Sequence, residues 1–320
     1  MVDLKNKRIL ITGGGSMLAV SLVDELTREP SNEVYTVYHK TCDLLSIEQT
    51  REKFLQVKPD IVIHLATYSG SAQFNVKFPI DTFYRTTLIG LNVLKVCSEI
   101  KPKKVLSILS SCAIADKGDV ELKETDLWNG LPCENIESHG FAKRNLHAFS
   151  RQLYKQCGID AVCCIVNNSF GPRDAFSLEK GKVISNLIKR FIEAKEKNMA
   201  TVTLWGTGKP LREFIYCKDV AKLLMLALER HNDSITPLNI GSPNEISIKE
   251  LAETIKLVVE YEGELLWDTS KGDGQMRKKL DLTRMNKVLL DNGPFNYTTF
   301  QDSLAETVKW YLENRSNWTK

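Results

Sequence analysis

The stretch Thr12-Gly13-Gly14-Gly15-Ser16-Met17-Leu18-Ala19 has the residue types to hold a pyrophosphate. Glycine lets the backbone approach phosphate oxygens, and a helix opening at the turn rests its positive amino terminus against their charge. With Gly13 as the first of three small positions, Ser16 and Ala19 fill the second and third, where glycine would be usual but small residues still fit. Plain tight turns want glycine too, so this reading stands beside that one. Further on, "VYHKTCDL" places His39 and Lys40 where a ribose-reading acid would mark NAD. Their character suits a 2′-phosphate and favours NADP(H) over NAD(H); a solvated loop lysine is the alternative. Asp43 could meet the adenine edge. A second chemical spacing is "IESHGFAKR", which sets His139 four residues before Lys143. A neighbouring cation disfavours the imidazolium, so His139 is expected to be neutral near pH 7 and able to donate a hydrogen bond to a carbonyl oxygen.

These groups need a scaffold of alternating strands and helices. "RILITGG" is an apolar run ending in glycines, and "SMLAVSLVDELTRE" after it keeps helical spacing at Leu18, Leu22, Val23 and Leu26. The unit recurs in "EVYTVY" with "SIEQTREKFLQVK", in "DIVIHLA" with "FYRTTLIGLNVLKVCSEI", in "KKVLSILSS", and in "DAVCCIVNN" after "AKRNLHAFSRQLYKQ". Continuous apolar strands separated by amphipathic helices predict an α/β fold, a doubly wound parallel sheet covered on both faces, with ligands at the strands' carboxyl ends. The regularity breaks after "SFGPRD". We therefore expect a dinucleotide-binding domain over residues 1–174, rejoined by 218–242, and a smaller lobe over 175–217 and 243–320.

The composition narrows the partners. The 320 residues are 42% hydrophobic and 26% charged, enough for a full core. A net charge of +3 with both signs interspersed gives no stripe suited to nucleic acid, so a small molecule is expected. No signal peptide or membrane-spanning run is read, and eight cysteines without C-x-x-C pairs suggest a reducing, cytoplasmic setting and no metal site.

With "ILSSCAIADK", "SHGFAKR", "NNSFGPRD" and "WGTGKPLREFIYCKD" together, the chain resembles the GDP-L-fucose synthase family from about Arg8 to the final helix. These are GDP-4-keto-6-deoxymannose 3,5-epimerase/4-reductases of the extended short-chain dehydrogenase/reductase type, and "WGTGKPLREF" with "DGQMRKKLD" points to this branch. The resemblance implies NADP(H) against Gly13, Gly14, Ser16, Met17, Leu18, His39, Lys40, Asp43, Leu44, Leu65, Ala66 and Lys143. It also implies a GDP-linked 4-keto sugar between the lobes and a homodimer packed through the helices flanking Lys143. Ser110 falls on the family's carbonyl-polarising serine and Cys112 on its epimerisation base, although an isolated cysteine is more often a core residue. Lys143 falls on the lysine that bonds the nicotinamide ribose and lowers the pKa of the catalytic acid. Asn168, Arg190, Trp205, Arg212 and Lys278 fall on positions holding the diphosphate and sugar, a task to which guanidinium forks are suited.

Two departures touch the chemistry. His139 stands at the family's catalytic tyrosine and Lys182 at its active-site histidine. The expected function is NADPH-dependent C4 reduction of a GDP-4-keto-6-deoxy sugar, hexose or heptose, with 3,5-epimerisation doubtful. The alternatives are an epimerase without net redox, using Cys112 and Lys182, and a catalytically impaired sugar-nucleotide-binding protein.

Overall fold

Ile9, Leu10 and Ile11, like Ile61, Val62 and Ile63, are fully removed from solvent, as strands covered on both faces require. They lie in a computed structural model that describes residues 3–316 except 178 and 292, together with residue 318. The first elements are β1 (Arg8–Thr12), α1 (Met17–Leu26), β2 (Glu33–Val37), α2 (Ile47–Val57), β3 (Ile61–His64), α3 (Ala72–Lys77), α4 (Pro79–Ile100), β4 (Lys104–Ser110), α5 (Glu137–Cys157) and β5 (Asp160–Val166). Then follow β6 (Ser169–Phe170), α6 (Val183–Glu196), β7 (Thr201–Trp205), β8 (Leu211–Glu213), β9 (Ile215–Tyr216), α7 (Cys217–Arg230) and β10 (Leu238–Ile240). The chain ends through β11 (Glu245–Ser247), α8 (Ile248–Val259), β12 (Glu264–Asp268), β13 (Arg277–Lys278), α9 (Thr283–Leu289) and α10 (Phe300–Asn314).

Six parallel strands form the central sheet in the order β10-β5-β4-β3-β1-β2. After β1 the chain moves outward to β2 and then crosses to β3 on the other side. That reversal opens a crevice at the carboxyl ends of β1 and β3, where doubly wound folds hold ligands. Alternation decides which layer each strand residue joins. Ile9 and Ile11 pack with Leu22, Leu224 and Met285 on one face, and Leu10 and Val62 with Phe54, Leu94 and Leu146 on the other. A third core gathers Phe191, Ile255 and Leu304 from α6, α8 and α10.

Two helices differ from the periodicity reading in where they begin. α4 starts at Pro79, because proline at the first helical position sacrifices no hydrogen bond. α5 starts at Glu137, so His139 and Lys143 both fall within its first two turns. Among the described residues no helix is long and apolar enough to cross a membrane.

Candidate active site

The glycine turn lies at the crevice. Gly13 has φ +74°, and a Cβ there would come within 3.0 Å of the Ala66 backbone. At Gly14 a Cβ would meet the Thr36 side chain at 2.7 Å, so the bare backbone brings the ends of β1, β2 and β3 together. Ser16 caps α1 by accepting from the Ala19 amide at 3.2 Å, which leaves the helix's first-turn amides at Met17 and Leu18 facing the turn. The arrangement fits a dinucleotide pyrophosphate. Thr12, read in the sequence only as the first residue of the glycine stretch, braces it: its hydroxyl oxygen accepts the amides of Leu65 and Ala66 at 3.2 and 3.3 Å and lies 2.8 Å from Nδ1 of His64. The Leu65 and Ala66 amides are thereby occupied, and these residues can only line the crevice. Burial, reinforced by Lys143, pulls the His64 pKa down to about 3, so this histidine is a neutral structural partner. His39 and Lys40 are exposed past the end of β2, and His39 lies 3.6 Å from Asp43 while Leu44 is buried beneath.

The second group gathers where β4 meets α5. Gly140 makes the approach possible, since a Cβ there would fall 2.5 Å from the Cys112 carbonyl oxygen. Ser110, half-buried, accepts the Cys112 amide at 3.2 Å, and its hydroxyl also bonds the Cys112 side chain. Lys143, which a helix surface would leave in solvent, is only 4% exposed and donates to the Ile108 carbonyl at 2.9 Å. Burial lowers its pKa to about 8. His139 is 7% exposed, and its Nδ1 is buried without a hydrogen-bond partner among the described residues. Burial first, then Lys143, Lys182 and Lys278, lower its pKa to about 3. The sequence reading named only Lys143 as the cause; loss of solvent is the larger one.

Cys112 is half-buried, and the Lys278 ammonium lies 3.5 Å from its sulfur. Burial alone would raise the thiol's pKa, but Lys278, Ser110 and Lys182 outweigh it and hold the thiol below its ordinary value. Lys182 stands at the residue preceding α6 and is exposed, near enough for its charge to be felt by both Cys112 and His139.

The expected sugar-nucleotide residues come together in pairs. Arg190 on α6 donates to the Thr203 carbonyl on β7, two residues from Trp205, which is 60% exposed. Arg212 on β8 stands directly in register with Lys278 on β13. Asn168, held at φ +23°, donates to the Glu213 carbonyl beside Arg212. Asn167 and Glu213, which the sequence reading missed, are fully buried hubs beneath this surface. Their signal was polarity at the ends of strands that otherwise read as apolar. A cavity of about 430 Å³ lies at the amino ends of β1, β3 and β4, the end of the sheet away from this surface, and its lining includes Arg8, Arg51 and Lys101.

A doubly wound sheet with a glycine turn at its crevice, and with Ser110 and a buried Lys143 facing it, defines an extended short-chain dehydrogenase/reductase. The NAD dependent epimerase/dehydratase family matches residues 9–241. The GDP-L-fucose synthase of Dictyostelium discoideum is 34% identical over 318 residues, 98% of either chain. The structure of a GDP-L-fucose synthetase from Naegleria fowleri bound to NADP superposes with a TM-score of 0.91 at 27% identity, covering 100% of this chain and 98% of that one. The GDP-mannoheptose C4 reductase of Campylobacter jejuni with NADP bound gives 0.85 at 25% identity, over 98% of this chain and 100% of that one. This chain belongs to the NAD dependent epimerase/dehydratase family and, within it, to the GDP-L-fucose synthase family.

Proposed function

We propose that this protein is an NADP(H)-dependent C4 ketoreductase of a GDP-linked 4-keto-6-deoxy sugar, hexose or heptose. The observation that carries this reading is the convergence of Ser110, His139 and the buried Lys143 where β4 meets α5. NADPH, when bound, supplies the hydride; the Gly13–Leu18 turn would hold its pyrophosphate, and His39 and Lys40 its 2′-phosphate. Residues 1–174 with 218–242 form the cofactor domain in this reading, and 175–217 with 243–320 the lobe that takes the GDP-sugar on Asn168, Arg190, Trp205 and Arg212. The active species is a homodimer through α4 and α5.

Ser110 turns its hydroxyl proton from the Cys112 sulfur to the C4 carbonyl oxygen when the substrate is bound. His139, neutral throughout the working range, adds an N–H donor to the same oxygen but has no net proton to give. The alkoxide is protonated from solvent through Ser110. Lys143, anchored to the Ile108 carbonyl, positions the nicotinamide ribose. Losing a well-matched general acid costs about 10²–10⁴-fold, so slow reduction is expected rather than none.

The test is incubation with NADPH and GDP-4-keto-6-deoxymannose, or its heptose counterpart, in deuterated water. Slow NADPH oxidation with formation of the 4-hydroxy sugar supports the reading; no oxidation with either substrate overturns it. A second reading is favoured by the acidified Cys112 thiol: an epimerase without net redox, with Cys112 as base and Lys182 as acid. Deuterium entering C3 or C5 without NADPH consumption would select it.

A further inference from the structure

Asn167, fully buried just past the end of β5, joins two segments far apart in the chain. Its Oδ1 accepts the Ser111 hydroxyl at 2.7 Å, and its Nδ2 donates to the Lys278 carbonyl at 3.3 Å. Ser111 is the neighbour of Cys112, so this one amide ties the Ser111 side chain, next to the Cys112 thiol, to the backbone that carries the Lys278 ammonium. The same strand is held from its other side. β13 pairs with β8, and the Leu280 amide donates to the buried Glu213 carboxylate at 2.9 Å. Lys278 is 8% exposed and, among the described residues, has no carboxylate at ion-pair distance. A buried ammonium needs a counter-charge, and the group placed to supply one is the Cys112 sulfur.

We propose that Lys278 is a positioning residue that keeps Cys112 as a thiolate, with Asn167 setting the distance between them. The resemblance to the family implied instead a contact to the sugar diphosphate. The consequence for catalysis rests on the second reading given above, the epimerase that uses Cys112 as base. A thiolate can take a proton from carbon beside the substrate's ketone; the thiol so formed gives that proton up to solvent, while Lys182, the acid of the epimerase reading, supplies the new proton on the opposite face.

The groups facing Cys112 come from several elements. Ser110 ends β4, Lys278 lies on β13, Lys182 begins α6, His139 lies on α5, and Cys133 precedes α5 on the wall of the same small cavity. His139 is neutral, and burial raises the Cys133 thiol, so neither adds charge near neutral pH. The lysines are the cations that act there.

The experiment is alkylation of the full chain with iodoacetamide across a pH series, with the extent at Cys112 read by peptide mass spectrometry. In the unaltered protein the midpoint should lie below that of an ordinary thiol. Lys278→Met should raise it by about one pH unit or more and slow alkylation near neutrality about tenfold. Lys278→Arg should restore the low midpoint by keeping the charge, and Lys182→Met should shift it less than Lys278→Met does. An unchanged midpoint in Lys278→Met, or an ordinary one in the unaltered protein, overturns the proposal. So does Lys278→Arg behaving like Lys278→Met. If Lys278→Met does not fold, Ser111→Ala removes only the hydroxyl bonded to Asn167; a raised midpoint there supports the brace and no rise overturns it. Alkylation requires neither cofactor nor sugar, so a failed ketoreductase assay leaves this result standing.

Discussion

His139 and Lys143 lie one turn apart on α5, both more than nine-tenths buried, and the lysine's charge adds to burial in keeping the imidazole neutral. A phenol in that place would respond in the opposite sense, because a cation stabilises its ionised form and sharpens its acidity toward a developing alkoxide. His139→Tyr should therefore raise kcat for NADPH oxidation by about 10²–10⁴-fold, the worth of a well-placed general acid. The KM for NADPH should change little, since Lys143 keeps its bond to Ile108. Steady-state kinetics with a GDP-4-keto sugar decides it, and an unchanged kcat would mean that residue 139 is not at the reacting oxygen.

The same burial makes stability depend on pH. His139 has its pKa lowered from 6.5 to about 3, so between those values the unfolded chain binds the proton and the folded chain does not. The stabilisation is complete above 6.5 and is lost as pH falls toward 3. His64 acts in the same direction, as do His147 and His231, whose pKa values burial lowers to about 4. Glu213 works oppositely: burial raises it to about 7, so its contribution is full below 4.5 and fades as pH rises through 7. Comparing His139→Phe with the unaltered chain isolates one histidine. Urea unfolding at several pH values between 6 and 4 should show a slope for the variant shallower by up to about 1.4 kcal/mol per pH unit, one proton's worth.

How far the sequence could be read follows from the range of each interaction. The alternation of strands and helices is local, and β1, β3, β4 and β5 lie within apolar runs visible in the chain, with β2 marked by its β-branched and aromatic residues. The four-residue spacing of His139 and Lys143 was also enough to predict a neutral imidazole, though burial proved the larger cause. Lys143 itself could pass for a surface lysine, because nothing local shows that Gly140 lets α5 close against the Cys112 backbone. The Cys112–Lys278 contact spans 166 residues and depends on Asn167 between them, so no spacing rule could show it. The bond between Thr12 and His64 escaped for the same reason: it exists only once β1 and β3 are adjacent.

Gly13 provides a direct test of the crevice. At φ +74° an L side chain is strained, and its Cβ would press on the Ala66 backbone at 3.0 Å. Gly13→Ala should destabilise the fold by about 1–3 kcal/mol and abolish the rise in melting temperature produced by NADP⁺. Thermal unfolding with and without the dinucleotide reads both effects. Retention of the NADP⁺-induced rise would place the pyrophosphate elsewhere.

Discrimination between the two nicotinamide cofactors should rest on Lys40 and His39, which stand exposed beyond β2, where no acid lies in the adjoining Tyr38–Thr41 turn. A 2′-phosphate gains from a nearby ammonium, whereas a 2′-hydroxyl does not, so removing the charge weakens one cofactor selectively. An exposed cation–phosphate contact of this kind is worth about 1 kcal/mol, or several-fold in binding. Lys40→Ala should thus raise the dissociation constant for NADPH about five- to tenfold while leaving that for NADH within about twofold, and added salt should shrink the difference. Titration of the protein's fluorescence with each cofactor measures the ratio. Equal losses for NADPH and NADH would show that Lys40 shapes the loop and does not read the phosphate.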